Sequence, residues 1–219
     1  VTVGGPQLVI ELVVTNAGDR AFEFTAALHT YFRVSDIAAV TLTGLEGLAY
    51  EEFGEDYVQH NRELRIQGEV DRIYWDAPDP ITLVDTTYRL EVAGEGFTDA
   101  VVWNPGPEKG AALADMSPEG YRNMLCIESA VIREPVNLAL AATWRRARHL
   151  LERDWSTRPQ AEWHKNRRDP NIRWPGSTTV SHLLTLPKRF RGRPGDRTGS
   201  CGYGPPEELG RSVCVSKGR

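Results

Sequence analysis

Residues 22–34 alternate between apolar and polar side chains, and this pattern constrains the fold more than any other feature of the sequence. One face would carry Phe22, Phe24, Ala26, Leu28, Thr30 and Phe32. The other face would carry Glu23, Thr25, Ala27, His29, Tyr31 and Arg33. A period of two is typical of a β-strand that buries one face against a core and leaves the other face polar.

Short strand-like segments of this kind fill most of the first 144 residues. Strands are predicted over residues 7–15, 22–34, 41–48, 63–67, 70–75, 81–84, 87–93, 100–103, 124–132 and 136–140. Residues 117–123 fit a single helical turn, and no longer helical period occurs. Many short strands separated by Asn, Asp, Gly and Pro favour an all-β fold, namely an antiparallel β-sandwich.

Charge divides the chain into two parts. Residues 1–144 hold 23 of the 30 acidic residues, whereas residues 145–219 hold 17 of the 26 Lys and Arg residues. We therefore place a boundary near Trp144, with a β-sandwich domain over residues 1–144. Residues 145–219 form a basic tail rich in Arg, Pro and Gly, for which we expect disorder or a non-homologous end. Within this tail, residues 145–153 could form a short helix.

Several classes of partner are disfavoured by the sequence. No apolar run approaches the roughly 18 residues of a membrane-spanning helix, so we expect no membrane partner. The basic tail could contact nucleic acid, but it contains no known nucleic-acid motif, and we expect no such partner. The chain begins at Val1 without a secretory signal pattern. We interpret it as a fragment or a processed chain of the cytoplasm, or of a plastid if a transit peptide precedes it.

Two side chains are candidates for proton transfer. His29 lies on the polar face of its strand, and imidazole suits proton transfer near neutral pH. The alternative is a surface histidine. Glu128 is the single carboxylate of the apolar run 124–132, where burial would raise its pKa toward a value useful for a general base. The alternative is an outward-facing residue on an edge strand.

Asp71 and the segment 102–105 are further candidates for the site, and each also has a purely structural interpretation. Asp71 could line a site or form a surface ion pair with Arg72. The segment 102–105, Val-Trp-Asn-Pro, could contribute to a site or could be a strand that ends in a proline turn. The sequence has no pattern for a metal site, a phosphate-binding glycine loop or a serine nucleophile elbow.

Taken in order, five segments resemble the glucose-6-phosphate 1-epimerases of the aldose 1-epimerase (hexose mutarotase) superfamily, in particular their plant-type branch. The resemblance spans residues 7–138. It is carried by residues 22–32 around His29, residues 70–74 with Ala77-Pro78, residues 97–105 with Trp-Asn-Pro, Lys109, and the spaced Asp115, Tyr121, Met124, Cys126, Ile127, Glu128, Ser129 and Ala130.

The resemblance implies a large β-sandwich that binds a sugar on one sheet face. It also implies interconversion of the α and β anomers of a hexose 6-phosphate, with no cofactor or metal. Glu128 would be the base at the C1 hydroxyl and His29 the acid at the ring oxygen. The substrate-binding residues would be Asp71, Arg72, Trp103, Asn104 and Lys109. We expect a small-molecule sugar phosphate as the ligand and a monomeric protein.

Two departures from the family pattern bear on this expectation. An upstream segment of the HGxxR type, which lines the family's site, is not found before Gln7. After residues 135–138 the family continues with Pro-Gly and a Trp-containing strand, whereas here residues 139–144 lead into the basic tail. A non-catalytic carbohydrate-binding relative, or an inactive fragment of such an enzyme, is therefore the alternative function.

Overall fold

A computed structural model describes residues 1–77, 80–153, 181–182 and 213–217, the last two segments by their backbone alone. Within these described residues, one α-helix, α1, spans Gly106–Ala112, and short 3-10 helices span Ile37–Ala39 and Gly120–Asn123. The strands are β1 (Thr2–Gly4), β2 (Gln7–Thr15), β3 (Phe22–Leu28), β4 (Thr30–Arg33), β5 (Thr41–Thr43), β6 (Ala49–Glu52), β7 (Glu55–Val58), β8 (Leu64–Arg65), β9 (Val70–Tyr74), β10 (Ile81–Val84), β11 (Arg89–Glu95), β12 (Asp99–Asn104), β13 (Met124–Leu138), β14 (Thr143–Glu152), β15 (Ser181–His182) and β16 (Val213–Lys217).

The strands form two antiparallel sheets, which confirms the predicted all-β class. Sheet A has the order β1-β2-β14-β11-β10-β5-β8. Sheet B has the order β15-β4-β13-β12-β9-β6-β7, and β3 pairs with both β13 and β16. Strand β13 is the longest at 15 residues, because it pairs with β12 on one side and with β3 and β4 in succession on the other.

The main core lies between the two sheets. Phe32, Val102, Leu125 and Ile127 of sheet B are fully buried in one cluster with apolar residues of β5, β10 and β11. Burial of each such side chain is worth roughly 1.5–3 kcal/mol. Because side chains alternate along a strand, the residues next to these point to the opposite face of sheet B, away from sheet A.

Strand β14 corrects the prediction for the start of the basic tail. It lies inside sheet A between β2 and β11, with a register from Thr143 opposite Thr15 to Leu151 opposite Gln7. The short helix predicted over residues 145–153 is therefore wrong, and the boundary predicted near Trp144 falls within a strand. Beyond residue 153, the predicted tail lies outside the described residues except for the backbone of β15 and β16.

Some local elements differ from the sequence prediction. The predicted strand 41–48 ends at Thr43, because Gly44 has a positive φ of 94°. A hairpin of β6 and β7 was not predicted, and its turn places Phe53 and Gly54 at φ values of 52° and 84°. Positive φ at both turn residues suits the twist of a tight hairpin. No helix among the described residues is long and apolar enough to cross a membrane.

Candidate active site

His29 and Glu128 meet on sheet B. The Nε2 atom of His29 lies 3.3 Å from Oε1 of Glu128, and their side chains are 15% and 6% exposed. Glu128 lies in the middle of β13, and His29 lies in the interval between β3 and β4. The two residues that sequence analysis selected for proton transfer are therefore within direct reach of each other.

A row of cross-strand partners surrounds this pair. Asp71 of β9 is opposite Trp103 of β12, Trp103 is opposite Cys126 of β13, and Cys126 is opposite Tyr31 of β4. Paired residues point to the same face of an antiparallel sheet. We call the face that carries this row and Glu128 the site face.

Aromatic rings form one wall beside the pair. The His29 ring stacks on Tyr31 at a centroid distance of 4.9 Å, and Trp103 meets both rings edge-on at 6.0 and 6.2 Å. Sequence analysis selected Trp103 but missed Tyr31 as a site residue. The signal was present, since Tyr31 follows His29 by two residues and therefore shares its face.

Burial keeps His29 neutral near pH 7. Removal from water, and then the nearby positive charge of Arg148, lower the pKa of His29 to about 4. A neutral imidazole can donate from one ring nitrogen and accept at the other. In the free protein, His29 therefore holds at most one transferable N–H and carries no charge.

Asp71 lies on the site face close to Lys109. Burial raises the pKa of Asp71, and Lys109 opposes that shift. Lys109 lies in the last turn of α1, and its ammonium group donates to Glu69 Oε1 at 2.8 Å. The charges of Asp71 and Lys109 therefore interact, and Lys109 is the more exposed of the two.

Arg72, which was also predicted as a substrate-binding residue, does not lie on this face. It is paired with Val102, a fully buried residue of the main core cluster, so it points away from Asp71 and Trp103. Its Nε atom lies 3.0 Å from Glu52 Oε1, and its guanidinium lies 4.6 Å from the Tyr50 ring centroid. Period-two alternation excludes Asp71 and Arg72 from a common face.

Asn104 is placed for a structural role. It is fully buried, and its amide nitrogen donates to the carbonyl oxygens of Tyr121 and Met124, each at 2.8 Å. Its amide oxygen accepts from the Gly106 backbone at 2.9 Å. Asn104 was predicted as a substrate-binding residue, and in the structure its side chain holds the turn after β12.

The side chains of His29, Cys126 and Glu128 form a group whose potential donor atoms lie within 4.8 Å of one another. The group suits proton transfer better than cation binding. Burial raises the pKa of the Cys126 thiol well above its ordinary value, so the thiol keeps its proton. The nearby guanidinium of Arg148 adds a positive charge that opposes a bound cation.

Comparison with known sequences identifies the family of this chain. The sequence pattern of the family described as "Aldose 1-epimerase" matches residues 1–146, and the chain belongs to this family. A Cenchrus ciliaris protein named "Putative glucose-6-phosphate 1-epimerase" is 38% identical over 136 residues, which are 60% of this chain and 41% of that protein. An Escherichia coli protein of the same name is 32% identical over 117 residues, which are 52% and 40% of the two chains.

A solved structure supports the same fold. The Salmonella typhimurium protein described as "a putative mutarotase" superimposes with a TM-score of 0.59 at 25% identity, over 66% of this chain and 50% of that chain. The chain spans about two fifths of the length of the curated relatives named above. The resemblance to this family, first seen in ordered sequence motifs, is thereby confirmed.

Proposed function

We propose that the protein interconverts the α and β anomers of a hexose 6-phosphate, with glucose 6-phosphate as the principal substrate. The observation that carries the proposal is the 3.3 Å approach of His29 Nε2 to Glu128 Oε1 on the site face. The curated relatives carry the name of this activity. Their sugar-phosphate substrate is the source of the substrate class proposed here.

Exchange of anomers requires the pyranose ring to open and to close again. A base removes the proton from the C1 hydroxyl while the C1–O5 bond breaks, and an acid protonates O5. The carbonyl then turns, and closure on its other face reverses both proton transfers. Glu128 is proposed as the base at O1 and His29 as the acid at O5. A positioned acid or base of this kind typically contributes about 100- to 10,000-fold to the rate.

His29 must gain a proton before it can act as the acid. Full transfer of a proton to O5 requires the imidazolium form, which the free protein disfavours at pH 7 because the pKa of His29 is about 4. The Glu128 carboxylate, 3.3 Å from Nε2, would favour the imidazolium form, because an opposite charge at this distance stabilises it.

The rest of the site face would hold the sugar. The carboxylate of Asp71 is proposed to accept hydrogen bonds from ring hydroxyls, which fixes the orientation of the ring. Trp103 and Tyr31 offer apolar surface to the C–H face of the sugar. Lys109 is proposed as a phosphate contact at the rim, where the phosphate would compete with Glu69 for its ammonium group.

The test is NMR magnetisation transfer between the anomers of glucose 6-phosphate, with the 219-residue chain present or absent. We expect exchange above the spontaneous rate, and loss of at least about 100-fold of the added rate in Glu128→Gln. Glu63→Gln is the matched control, because Glu63 pairs with Arg65 on the exposed surface of sheet A. Saturable sugar-phosphate binding by a folded chain without added exchange would contradict the proposal and favour a carbohydrate-binding relative.

A further inference from the structure

A fully buried arginine reaches the proposed acid–base pair from the opposite sheet. Arg148 lies on β14 of sheet A, between Ile10 of β2 and Gly94 of β11. Its side chain has no solvent exposure. Burying a cation is costly unless hydrogen bonds and charges compensate for it, so its partners indicate what the residue does.

The guanidinium binds both strands that carry the pair. Its Nη1 atom donates to the Leu28 carbonyl oxygen at 2.9 Å and to Thr30 Oγ1 at 2.5 Å, and its Nη2 atom donates to the Ile127 carbonyl oxygen. Leu28 and Thr30 are the residues on either side of His29. Ile127 is the residue directly before Glu128.

These contacts fall where the strand ladder is interrupted. Strand β13 pairs with β3 up to Ser129 opposite Leu28, and with β4 from Cys126 opposite Tyr31. No ladder pair within these described strands joins the residues between, which include His29 and Glu128. Arg148 therefore bridges the two strands across this interruption, between the ladder pair of Leu28 with Ser129 and that of Tyr31 with Cys126.

Nearby charges and a glycine allow the Arg148 guanidinium to be buried at this position. Burial lowers the pKa of Arg148 to about 9, and the negative charge of Glu128 opposes that shift. The guanidinium also lies 5.4 Å from the centroid of the Phe32 ring. A Cβ atom at Gly94 would meet Ser129 Oγ at 2.9 Å, so a glycine beside Arg148 lets sheet A approach β13 closely enough for the contact.

We propose that Arg148 is a positioning residue, which holds His29 and Glu128 at their working separation by bridging the backbone on both sides of the pair. The inference rests on the proposed function, because the separation matters for proton transfer to one sugar. The titratable and charged groups that face the pair are Arg148 from β14, Cys126 from β13 and Tyr31 from β4.

The consequence for catalysis is geometric. A misplacement of about 1 Å in a reacting group can cost about 100-fold in rate. Loss of the bridge should therefore lower kcat, while the sugar contacts of Asp71 and Trp103 on β9 and β12 keep KM nearly unchanged. Loss of the guanidinium charge should also allow His29 to take up a proton more easily.

The experiment compares Arg148→Gln, Arg148→Lys and Arg145→Gln in the 219-residue chain. Arg145 is the matched control, because it lies on the same strand but forms an exposed ion pair with Glu11. We expect Arg148→Gln to lower kcat about 100-fold and to change KM less than about threefold. Arg148→Lys keeps the charge, but its single nitrogen cannot take the places of both Nη1 and Nη2, so its kcat should also fall. Arg145→Gln should change neither quantity.

A second readout does not depend on activity. NMR titration of the labelled His29 imidazole should give a higher pKa in Arg148→Gln than in the wild-type chain and the Arg145→Gln control. If the wild-type chain does not accelerate exchange, the proposed function fails, and the positioning role that rests on it fails with it. An unchanged His29 titration in folded Arg148→Gln, or wild-type kcat in an active chain, would overturn the inference.

A milder change covers the case in which Arg148→Gln does not fold. Thr30→Val removes one acceptor of the guanidinium and keeps the shape of the side chain. We expect a folded protein whose kcat falls severalfold at nearly constant KM, because the guanidinium keeps its charge but loses one of its three acceptors. Wild-type kcat in an active, folded Thr30→Val would contradict the positioning role.

Discussion

At the scale of single residues, the environment of His29 determines what the site can do. The imidazole is stacked on Tyr31, is 15% exposed and lies within 3.3 Å of a carboxylate. Burial makes its charged form unfavourable in the folded protein. This condition should be visible in stability as well as in catalysis, because a pKa that differs between folded and unfolded states makes folding depend on pH.

His29 should destabilise the fold in acid. Its ordinary pKa of 6.5 falls to about 4 on folding, so the unfolded chain gains a proton at higher pH than the folded chain. The free energy of unfolding should be unaffected by His29 above pH 6.5 and should fall by up to about 3 kcal/mol as the pH drops to 4. Urea titrations of the wild type and His29→Gln between pH 7 and 4 measure the difference. The exposed His60 supplies the control, His60→Gln, and parallel pH curves for wild type and His29→Gln would contradict the prediction.

Asp71 should lower the stability of the folded protein and strengthen its binding of the substrate. Because burial raises the pKa of its carboxyl, keeping Asp71 ionised at pH 7 costs stability. Asp71→Asn should therefore raise the free energy of unfolding while it raises KM at least about tenfold, since bonds to charged groups are worth roughly 1.5–3 kcal/mol. Chemical denaturation and the anomer-exchange assay check the two effects. A less stable variant with an unchanged KM would contradict both.

The sequence identified these side chains to different degrees. The resemblance assigned site roles to His29, Asp71, Trp103 and Glu128, but the strand pairing that puts them on one face comes from the folded structure. Arg72 was predicted as a further site residue, although a period of two already put it on the face opposite Asp71. Arg148 could not be predicted as a site residue, because only the folded structure places β14 next to His29 and Glu128.

At the scale of secondary-structure elements, the turn after β12 depends on one amide. The amide nitrogen of Asn104 donates to the carbonyl oxygens of residues 121 and 124, and its amide oxygen accepts from the Gly106 N–H. The Trp-Asn-Pro segment predicted a strand that ends in a turn, and this local prediction is confirmed. The buried amide that holds the turn to the start of β13 could not be predicted, since its partners are 17 and 20 residues away.

Asn104→Ala should therefore act on stability. It removes three hydrogen bonds and leaves buried backbone groups without partners, at a cost of about 1–3 kcal/mol for each unsatisfied group. We expect a loss of at least about 2 kcal/mol in the free energy of unfolding, with KM of any remaining activity nearly unchanged. Urea denaturation and the exchange assay measure both. A KM effect at wild-type stability would restore the predicted role in substrate binding.

Strand β14 was not predicted because its arginine-rich composition resembles that of a disordered basic segment. Trp144, Arg148 and Leu150 point inward and are buried, whereas Arg145 between them is exposed. An inward arginine disrupts the apolar alternation by which a strand is recognised. The dense positive charge then favoured an interpretation as a basic tail. The strand was missed because Arg148 is buried, and its partners Leu28, Thr30 and Ile127 are distant in sequence.

At the scale of the whole molecule, sheet A depends on β14. The strand separates β2 from β11 and pairs with both, so its loss would leave two unpaired edges. Ala147→Pro removes a ladder donor from a central strand opposite Glu11 and Glu95. We expect a loss of at least about 3 kcal/mol, or failure to fold cooperatively. Denaturation followed by circular dichroism measures it, and a wild-type transition would contradict the central place of β14.

We propose that His29 and Glu128 act as one acid–base unit in anomer exchange. A double-mutant cycle measures this coupling, with the exchange rates of wild type, His29→Gln, Glu128→Gln and the double variant determined on glucose 6-phosphate. Residues that act as a unit are strongly non-additive. We therefore expect each single variant to lose nearly as much rate as the double variant. Additive losses, or a single variant with the wild-type rate, would show that the two side chains do not act as a unit.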